Sequence, residues 1–519
     1  MPHPYPPNGF QQAGRHGVVL AVTCLALAVV VSSMASLNVA LPDIARQTQA
    51  DQTQQTWIID AYSLLFASLL LPAGALGDRF GRRLALLVGL AIFTLAAGLA
   101  ALVTDPGQLI TLRAVMGMGA ALVMPATLST ITGTFPPAQR ARAVSVWAAV
   151  AGASGVLGLL ASGLLLEVWS WPSVFWFNMV VVLVAMAGTL LFVPESAESA
   201  SSPFDVVGAI LAACGVAVLV YALIEAPVNG WTAPTTVGGL ALGALILVGF
   251  VGWELRRSHP LLDPRLFRNR RFAAGSLSIT LQFFALFGFL FLLMQYLQMI
   301  RGYSALAAAL NLVTMPVGMI PAARLSPRLS VRFGARGPWT AGLLLLAAGL
   351  AVLAHLDVDS PYGMLAVGLV PLGAGLGLAM PPATTAITDA LPPALQNVGS
   401  AVNDLARELG GALGIAILGS VLNGTYEARL DLPGVPVRIA DEARSSLAIA
   451  EAIGGPVLDQ ARDAFTAGLQ FALLGASVAV LMAAVAVPTL LRRRAGTQPA
   501  DRSSVVHAAP ESKRRFEHG

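Results

Sequence analysis

The side chains best placed to do chemistry in this chain are acids set inside long apolar stretches. Asp60 stands in Thr56-Trp-Ile-Ile-Asp-Ala-Tyr62, and the run that follows carries no charge until Asp78. An ionisable group in such a run is expensive and is a functional candidate by default. It can hold a proton in one state and a cation in another, with Trp57 and Tyr62 offering aromatic faces to the cation. The competing reading is an interfacial aspartate that caps the start of a helix. Asn403-Asp-Leu-Ala-Arg-Glu-Leu-Gly410 gathers three more ionisable groups. Asp404 and Glu408 lie one helical turn apart on a shared face, with Arg407 beside them. As working groups they make a second proton or substrate site next to Asn403; as scaffolding they neutralise one another. Arg113 is another charge within an apolar run. It either acts on a neighbouring carboxylate or bound water during proton transfer, or closes a structural ion pair.

Uncharged polar residues in apolar runs are the other binding candidates. These are Ser33 and Asn38 near the first run's end, and Gln282, Gln295 and Gln298 in a later one. The last group is interleaved with phenylalanines and Met294, a soft and adaptable lining for variable hydrophobic ligands. Lipid-facing phenylalanine is the commoner case, so the glutamines are the better cavity candidates. The histidines (His3, His16, His259, His355, His507, His518) all fall in tails or loops. No metal or cofactor is expected, and no Gly-x-x-x-x-Gly-Lys loop exists to hold ATP. The chain is read as a non-enzyme.

These residues need helices that cross a membrane. The 519 residues are 56% hydrophobic and 11% charged, with mean hydropathy +0.74. Soluble domains carry about 25% charge. Only helices or closed barrels satisfy their backbone inside a bilayer, and runs of about 20 residues without alternation are helices. Spans are expected near 17–42, 56–76, 84–104, 108–130, 141–166 and 172–193, then 206–226 and 236–255. Six more are expected near 272–299, 305–326, 338–356, 363–390, 398–424 and 465–491. Residues 1–15 and 495–519 read as polar tails. The connection 425–464 reads as an external helical hairpin, with arms around 440–452 and 457–464.

Net charge is +4 and the pI about 9.4, yet the basic residues form short clusters between spans, so nucleic acid is not the partner. Arg15, Arg79, Arg82, Arg83, Arg140, Arg142, Arg256–Arg271, Arg324, Arg328, Arg332 and Arg336 fall on one side, together with the C-terminal tail. The positive-inside rule makes that side cytoplasmic. Cys24 and Cys214 both lie in apolar runs and read as packing residues. The first run is too long for a signal-peptide core and reads as an uncleaved span.

A short basic turn repeats between the halves. Gly74-Ala-Leu-Gly-Asp-Arg-Phe-Gly-Arg-Arg83 follows the second span, and Leu76–Arg83 returns as Leu329-Ser-Val-Arg-Phe-Gly-Ala-Arg336. Such duplication builds carriers that rock around a central site. Gly77 and Gly81 permit a tight turn, and Asp78 can sit against a helix N-terminus. The arginines Arg79, Arg82 and Arg83 fix topology, with or without a part in gating.

The chain resembles the major facilitator superfamily, and within it the fourteen-span drug:proton antiporter family. The carrying motifs are Gly74–Arg83, Arg113-Ala-Val-Met-Gly-Met-Gly119 and Leu37-Asn-Val-Ala-Leu-Pro42. The aspartate in Thr56–Tyr62 resembles the quaternary-ammonium exporter branch. The resemblance implies an all-α polytopic fold of two six-helix bundles, 16–194 and 259–494, joined by two linker helices in 195–258. It implies that Asp78 meets a helix N-terminus of the opposite bundle near residue 398, and that Asp404 occupies an acidic position of the exporter branch. The chain departs from the pattern at Leu159 and Ser162 in the fifth span, at Ser33, and at Met319. These departures point toward neutral, monocationic or specialised substrates. The expected activity is proton-coupled efflux of hydrophobic or cationic drugs by a monomer in the bacterial inner membrane, both termini cytoplasmic. Export or symport of one endogenous metabolite is the alternative, and a membrane sensor without transport is the reading from another class.

Overall fold

The computed structural model describes residues 9–50, 52–195, 204–392 and 395–491, with short gaps between 433 and 452. The expected tail segments 1–8 and 495–519 lie outside the described residues. Among those described, all regular structure is helical, and fourteen helices are long and apolar enough to cross a membrane. They are α1 (Gly9–Thr48), α2 (Gln52–Phe80), α3 (Arg82–Ala100), α4 (Pro106–Thr134), α5 (Pro137–Leu166), α6 (Pro172–Phe192), α7 (Val206–Asn229) and α8 (Pro234–Glu254). Then follow α9 (Arg270–Gln295), α10 (Leu306–Phe333), α11 (Arg336–Leu353), α12 (Tyr362–Thr388), α13 (Gln396–Arg429) and α14 (Gly455–Leu490). Starts are written in the local sequence. Proline opens α4, α5, α6 and α8, where its missing N–H costs nothing, and Asp105 and Asp205 accept the orphan N–H groups of Gln108 and Gly208.

The duplication is visible in the packing. α1 packs on α5 and α6, α2 on α4, and α3 on α4 and α6. Eight helices later the pairs recur: α9 on α13 and α14, α10 on α12, α11 on α12 and α14. The repeated Phe-Gly has a backbone reason. Gly81 (φ 103°) turns α2 into α3, and Gly334 (φ 75°) turns α10 into α11 at the equivalent point. A side chain at either would be strained.

Two seams join the halves. α2 and α4 meet α13 along one, and α5 meets α10 and α12 along the other. The α7–α8 pair is not a free linker. α7 lies on both α2 and α13, and α8 lies on α7. Val216 and Val220 of α7 pack with Leu64 and Ala67 of α2 and with Leu405 and Leu409 of α13.

Three boundaries differ from expectation. α1 begins at Gly9, inside the expected polar tail, and α10 runs on to Phe333. Residues 455–464, expected as one arm of an external hairpin, are the first turns of α14. Gly454 and Gly455 take positive φ (72° and 58°) and Pro456 follows at once, so the chain turns there and the helix starts early. The connection is fastened to α13 by Tyr426 Oη donating to Ala443 O (2.8 Å) and Arg444 Nε donating to Leu430 O (3.3 Å).

Candidate functional site

At the end of the bundle that carries the repeated loops, Asp78 crosses the seam. Its carboxylate accepts from the backbone N–H of Asn397 (3.0 Å) and Val398 (3.0 Å) and from Asn397 Nδ2 (2.9 Å). These are the orphan donors of the first turn of α13, where the helix dipole also favours an anion. Ser129 of α4 hydrogen-bonds Asn397 Oδ1 beside it. A weaker tie, Arg140 to Asp389 (4.0 Å), closes the other seam at the start of α5. Burial raises the Asp389 carboxyl above its usual range, and Arg140 and Arg271 pull it back.

Close helix approach makes the Asp78 contact possible. A Cβ on Gly74 would lie 2.7 Å from Ala401 Cβ and 2.9 Å from Asn397 O, and one on Gly77 would lie 3.1 Å from the Asn397 side chain. Gly81 supplies the turn. Arg82 and Arg83 of the motif bond within their own half. Arg82 is buried and donates to Ser129 O (3.3 Å), Arg83 donates to Leu190 O of α6 (2.7 Å), and Arg79 lies beside Phe80.

Deeper in the α1–α6 half, Arg113 is wholly buried. Its Nε donates to Ile58 O (3.0 Å), its Nη1 to Ser33 Oγ (3.4 Å), and its guanidinium lies 4.4 Å over the Tyr62 ring. Nη2 has no partner among the described groups. Asp60, half-buried on α2, interacts electrostatically with Arg113 and with Glu225 of α7. Tyr62 is fully buried, donates its hydroxyl to Val30 O (2.9 Å) and feels Glu408 across the seam. Tyr62 therefore braces the Arg113 guanidinium with its ring while its hydroxyl is taken by Val30 O. Trp57 stacks on Tyr221 of α7 (5.7 Å between centroids, 24° between planes).

In the other half, Asp404 is 1% exposed, and its Oδ1 takes Arg407 Nη1 (3.4 Å) and Asn403 Nδ2 (3.3 Å). Its Oδ2 is unpartnered among the described groups. Asn403 in turn accepts from Thr384 Oγ1 of α12 (3.0 Å), so it orients the acid. Arg407 lies over Phe283 of α9 (4.5 Å) and Trp147 of α5 (5.6 Å), which ties the cluster to both halves. Glu408 is buried beside Arg407 and Asp404.

The structure thus forms two charged clusters on either side of the seam where α2 and α4 meet α13, Arg113 with Tyr62 near Asp60 in one half and Asp404 with Arg407 and Glu408 in the other. The remaining candidates scatter. Gln282 is buried but donates to Ser278 Oγ (2.9 Å), which also accepts from Trp339 of α11. Gln295 is half-buried, and Gln298 is exposed on the π-helical turn Tyr296–Ile300 that ends the span. Asn38 lies outside the residues whose side chains are described. Glu225, an acid near the end of the apolar span Val206–Asn229 and bonded to Asn229, is not among the residues the sequence singled out.

A duplicated helical bundle with a cross-seam carboxylate and a buried charged centre is the architecture of a secondary transporter. A family profile described as Major Facilitator Superfamily matches residues 23–415. The chain belongs to the major facilitator superfamily, in its drug:proton antiporter family. This transporter is similar to the multidrug resistance protein Stp of Mycobacterium tuberculosis, 34% identical over 80% of this chain and 77% of the relative. It is similar to the multidrug efflux pump LfrA of Mycolicibacterium smegmatis, 32% identical over 94% and 98% of the two chains. The methyl viologen resistance protein SmvA of Salmonella typhimurium is 32% identical over 91% and 97%. Among solved structures, the human organic anion transporter MFSD10 superposes with TM-score 0.63 over 93% of this chain and 100% of that one. At 14% identity that likeness shows the fold alone.

Proposed function

We propose that this transporter exports hydrophobic and cationic drugs in exchange for protons, by rocking of the α1–α6 and α9–α14 halves around the buried charged centre. The observation that carries the reading is that centre. Asp60 of α2 and Arg113 of α4 on one side of the seam, and Asp404, Arg407 and Glu408 of α13 on the other, lie within helices long and apolar enough to cross a membrane. Buried charges are kept only where they are paired or used. The relatives' names, multidrug efflux and resistance to single toxic compounds, support small-molecule drugs as the cargo.

In the cycle, a substrate entering from the inner side competes with protons for ionised carboxylates, and protons arriving from outside release it. One charge moving through the membrane potential is worth about 2.3 kcal/mol per 100 mV. A pH gradient adds about 1.4 kcal/mol per unit. The Asp78 contact with α13 shuts one end of the seam, which the distribution of arginines assigns to the cytoplasm. The described structure is then the conformer closed toward the cytoplasm. We place the protein in the bacterial inner membrane as a monomer, with units 16–194 and 259–494 as the rocking bodies and 195–258 between them.

The test is reconstitution in proteoliposomes with an imposed pH gradient and a lipophilic cation as cargo, using the natural sequence, Asp60→Asn and Asp404→Asn. Gradient-driven movement abolished in either variant supports the reading. Movement unchanged in both removes proton coupling through these acids, and no movement of any compound favours a sensor.

A further inference from the structure

α8 is the span that the rest of the protein covers least: 17% of its apolar stretch is buried, against 33% or more in every other span. Leu242, Leu245 and Val248 are exposed on it, and a Cβ on Gly249 or Gly252 would meet nothing within 4 Å. Leu255 keeps a helical backbone (φ −63°, ψ −20°), so the helical spacing carries on past Glu254. Gly249, Gly252 and Arg256 then fall on one face. Phe250 and Glu254, on the opposite face, are buried. The exposed apolar side of α8 therefore leads directly to an arginine where the span ends.

The chain that follows is folded back against this end and fixed there. Arg257 lies over Trp253 (4.1 Å) and 3.8 Å from the Asp205 carboxylate at the start of α7, which also accepts from Trp253 Nε1 (3.0 Å). Leu261 and Leu262 are buried, and Arg265 Nη2 donates to Leu255 O (3.2 Å). That bond sets the 3₁₀ turn Pro264–Arg268 beside the end of α8. Side chains three apart eclipse in such a turn, so Arg268 stands in line with Arg265. Arg270 opens α9 just beyond. Arg257 and Arg265 are engaged in the fold, whereas Arg256, Arg268 and Arg270 are exposed and have no partner among the described residues. Phe267, also exposed, packs edge-on against Phe272 (4.9 Å). Asp263 is the one acid between 255 and 271, and it caps the turn by accepting from Arg265 N (2.9 Å).

We propose that the inner end of α8 is a docking site for one anionic phospholipid of the cytoplasmic leaflet, its phosphate held by Arg256, Arg268 and Arg270 and an acyl chain lying along Gly249 and Gly252. Three unpaired guanidiniums on a fixed loop match a phosphodiester, which arginine binds through its planar fork. Arginine clusters next to a span are drawn to anionic headgroups. The occupant is a lipid and not a soluble anion because the arginines stand at the foot of an open apolar face, with an exposed phenylalanine among them. Such a lipid bridges the last turn of α8 and the first of α9, and so fastens the hairpin to the second half. A purely topological role for these arginines requires only their number and predicts no preference for one lipid over another.

The test places a bimane fluorophore at Leu255→Cys, with Cys24 and Cys214 replaced by alanine, and reconstitutes the protein in dioleoyl phosphatidylcholine vesicles. Phosphatidylglycerol or phosphatidylcholine carrying a nitroxide quencher on the acyl chain is then added in rising mole fraction. With the natural loop, half-quenching by phosphatidylglycerol is expected at a mole fraction at least fivefold below that for phosphatidylcholine. Arg256→Gln, Arg268→Gln and Arg270→Gln together should bring the two lipids within twofold, while Arg256→Lys, Arg268→Lys and Arg270→Lys should keep them further apart than that. Arg328→Gln with Arg332→Gln, at the inner end of α10, should leave the preference unchanged. Equal quenching by both lipids in the natural loop overturns the proposal, and so does a preference that survives the triple glutamine variant. A preference lost equally in the Arg328 and Arg332 variant reduces the effect to net charge and overturns it as well. Should the triple variant fail to fold, salt applied to the natural loop decides. Raising it from 0.1 to 1 M shortens the screening length from about 10 Å to about 3 Å, and the fivefold preference should fall below twofold. A preference unmoved by salt rules out the arginine contact.

Discussion

Replacing Asp78 with Asn should unlock one end of the transporter. In the closed seam the carboxylate accepts three hydrogen bonds from the first turn of α13, at 2.9 to 3.0 Å. An asparagine keeps one acceptor oxygen but presents an NH₂ where the second oxygen met a donor. Losing one charge-assisted bond costs about 1.5–3 kcal/mol. Losing the charge at the helix N-terminus costs about 0.3–1 kcal/mol more. Relief of the carboxylate's own desolvation returns part of this. A net of about 1.4 kcal/mol or more shifts the closed-to-open ratio at least tenfold. The assay is spin-label distance measurement between positions 84 and 333, exposed Leu84 and Phe333 near the turns of the two halves, with Cys24 and Cys214 replaced by alanine. Asp78→Asn should add a longer-distance population absent from the natural protein and depress transport. A distance distribution unchanged in both Asp78→Asn and Asp78→Ala would refute the lock.

Other substitutions probe the same architecture. Gly74→Val puts side-chain atoms where Ala401 Cβ and Asn397 O already lie within 3 Å of a Cβ, so the same spin-label pair should report opening and transport should fall. Gly74→Ala combined with Ala401→Gly should recover part of the loss, and failure of either result would mean the seam does not close this tightly. Arg113→Gln removes the bonds from a buried guanidinium to Ile58 O and Ser33 Oγ. A hydrogen bond to a charged group is worth about 1.5–3 kcal/mol, so the melting temperature in detergent should drop clearly. An unaltered melting curve would count against these bonds. Trp231→Phe deletes the bond to Ser420, worth about 1 kcal/mol. Amide exchange in the α7–α8 turn should quicken about fivefold, and unchanged exchange would show the hairpin is held by other contacts.

Much of this molecule was legible in its residues. Apolar run length set the fourteen spans, because a bilayer admits helices of one approximate length and satisfies no bare backbone. Asp60, Arg113, Asp404 and Glu408 stood out because a charge in an apolar run must do something to offset its cost. The Asp78 contact with residues 397 and 398 was anticipated through family resemblance, and the local residues explain it: glycines for approach, an acid for a helix start. Tertiary structure decided what those rules leave free. Which helices face each other is set by packing across hundreds of residues, so only the fold could place α7 between α2 and α13 and stack Tyr221 on Trp57. The sequence could not show that Tyr62 lies under Arg113 and bonds Val30, or that Asn403 bonds Thr384 of α12, because these partners come from neighbouring helices. Sequence position determines how a residue pays for burial only along its own helix; the partners across the seam are a property of the folded whole.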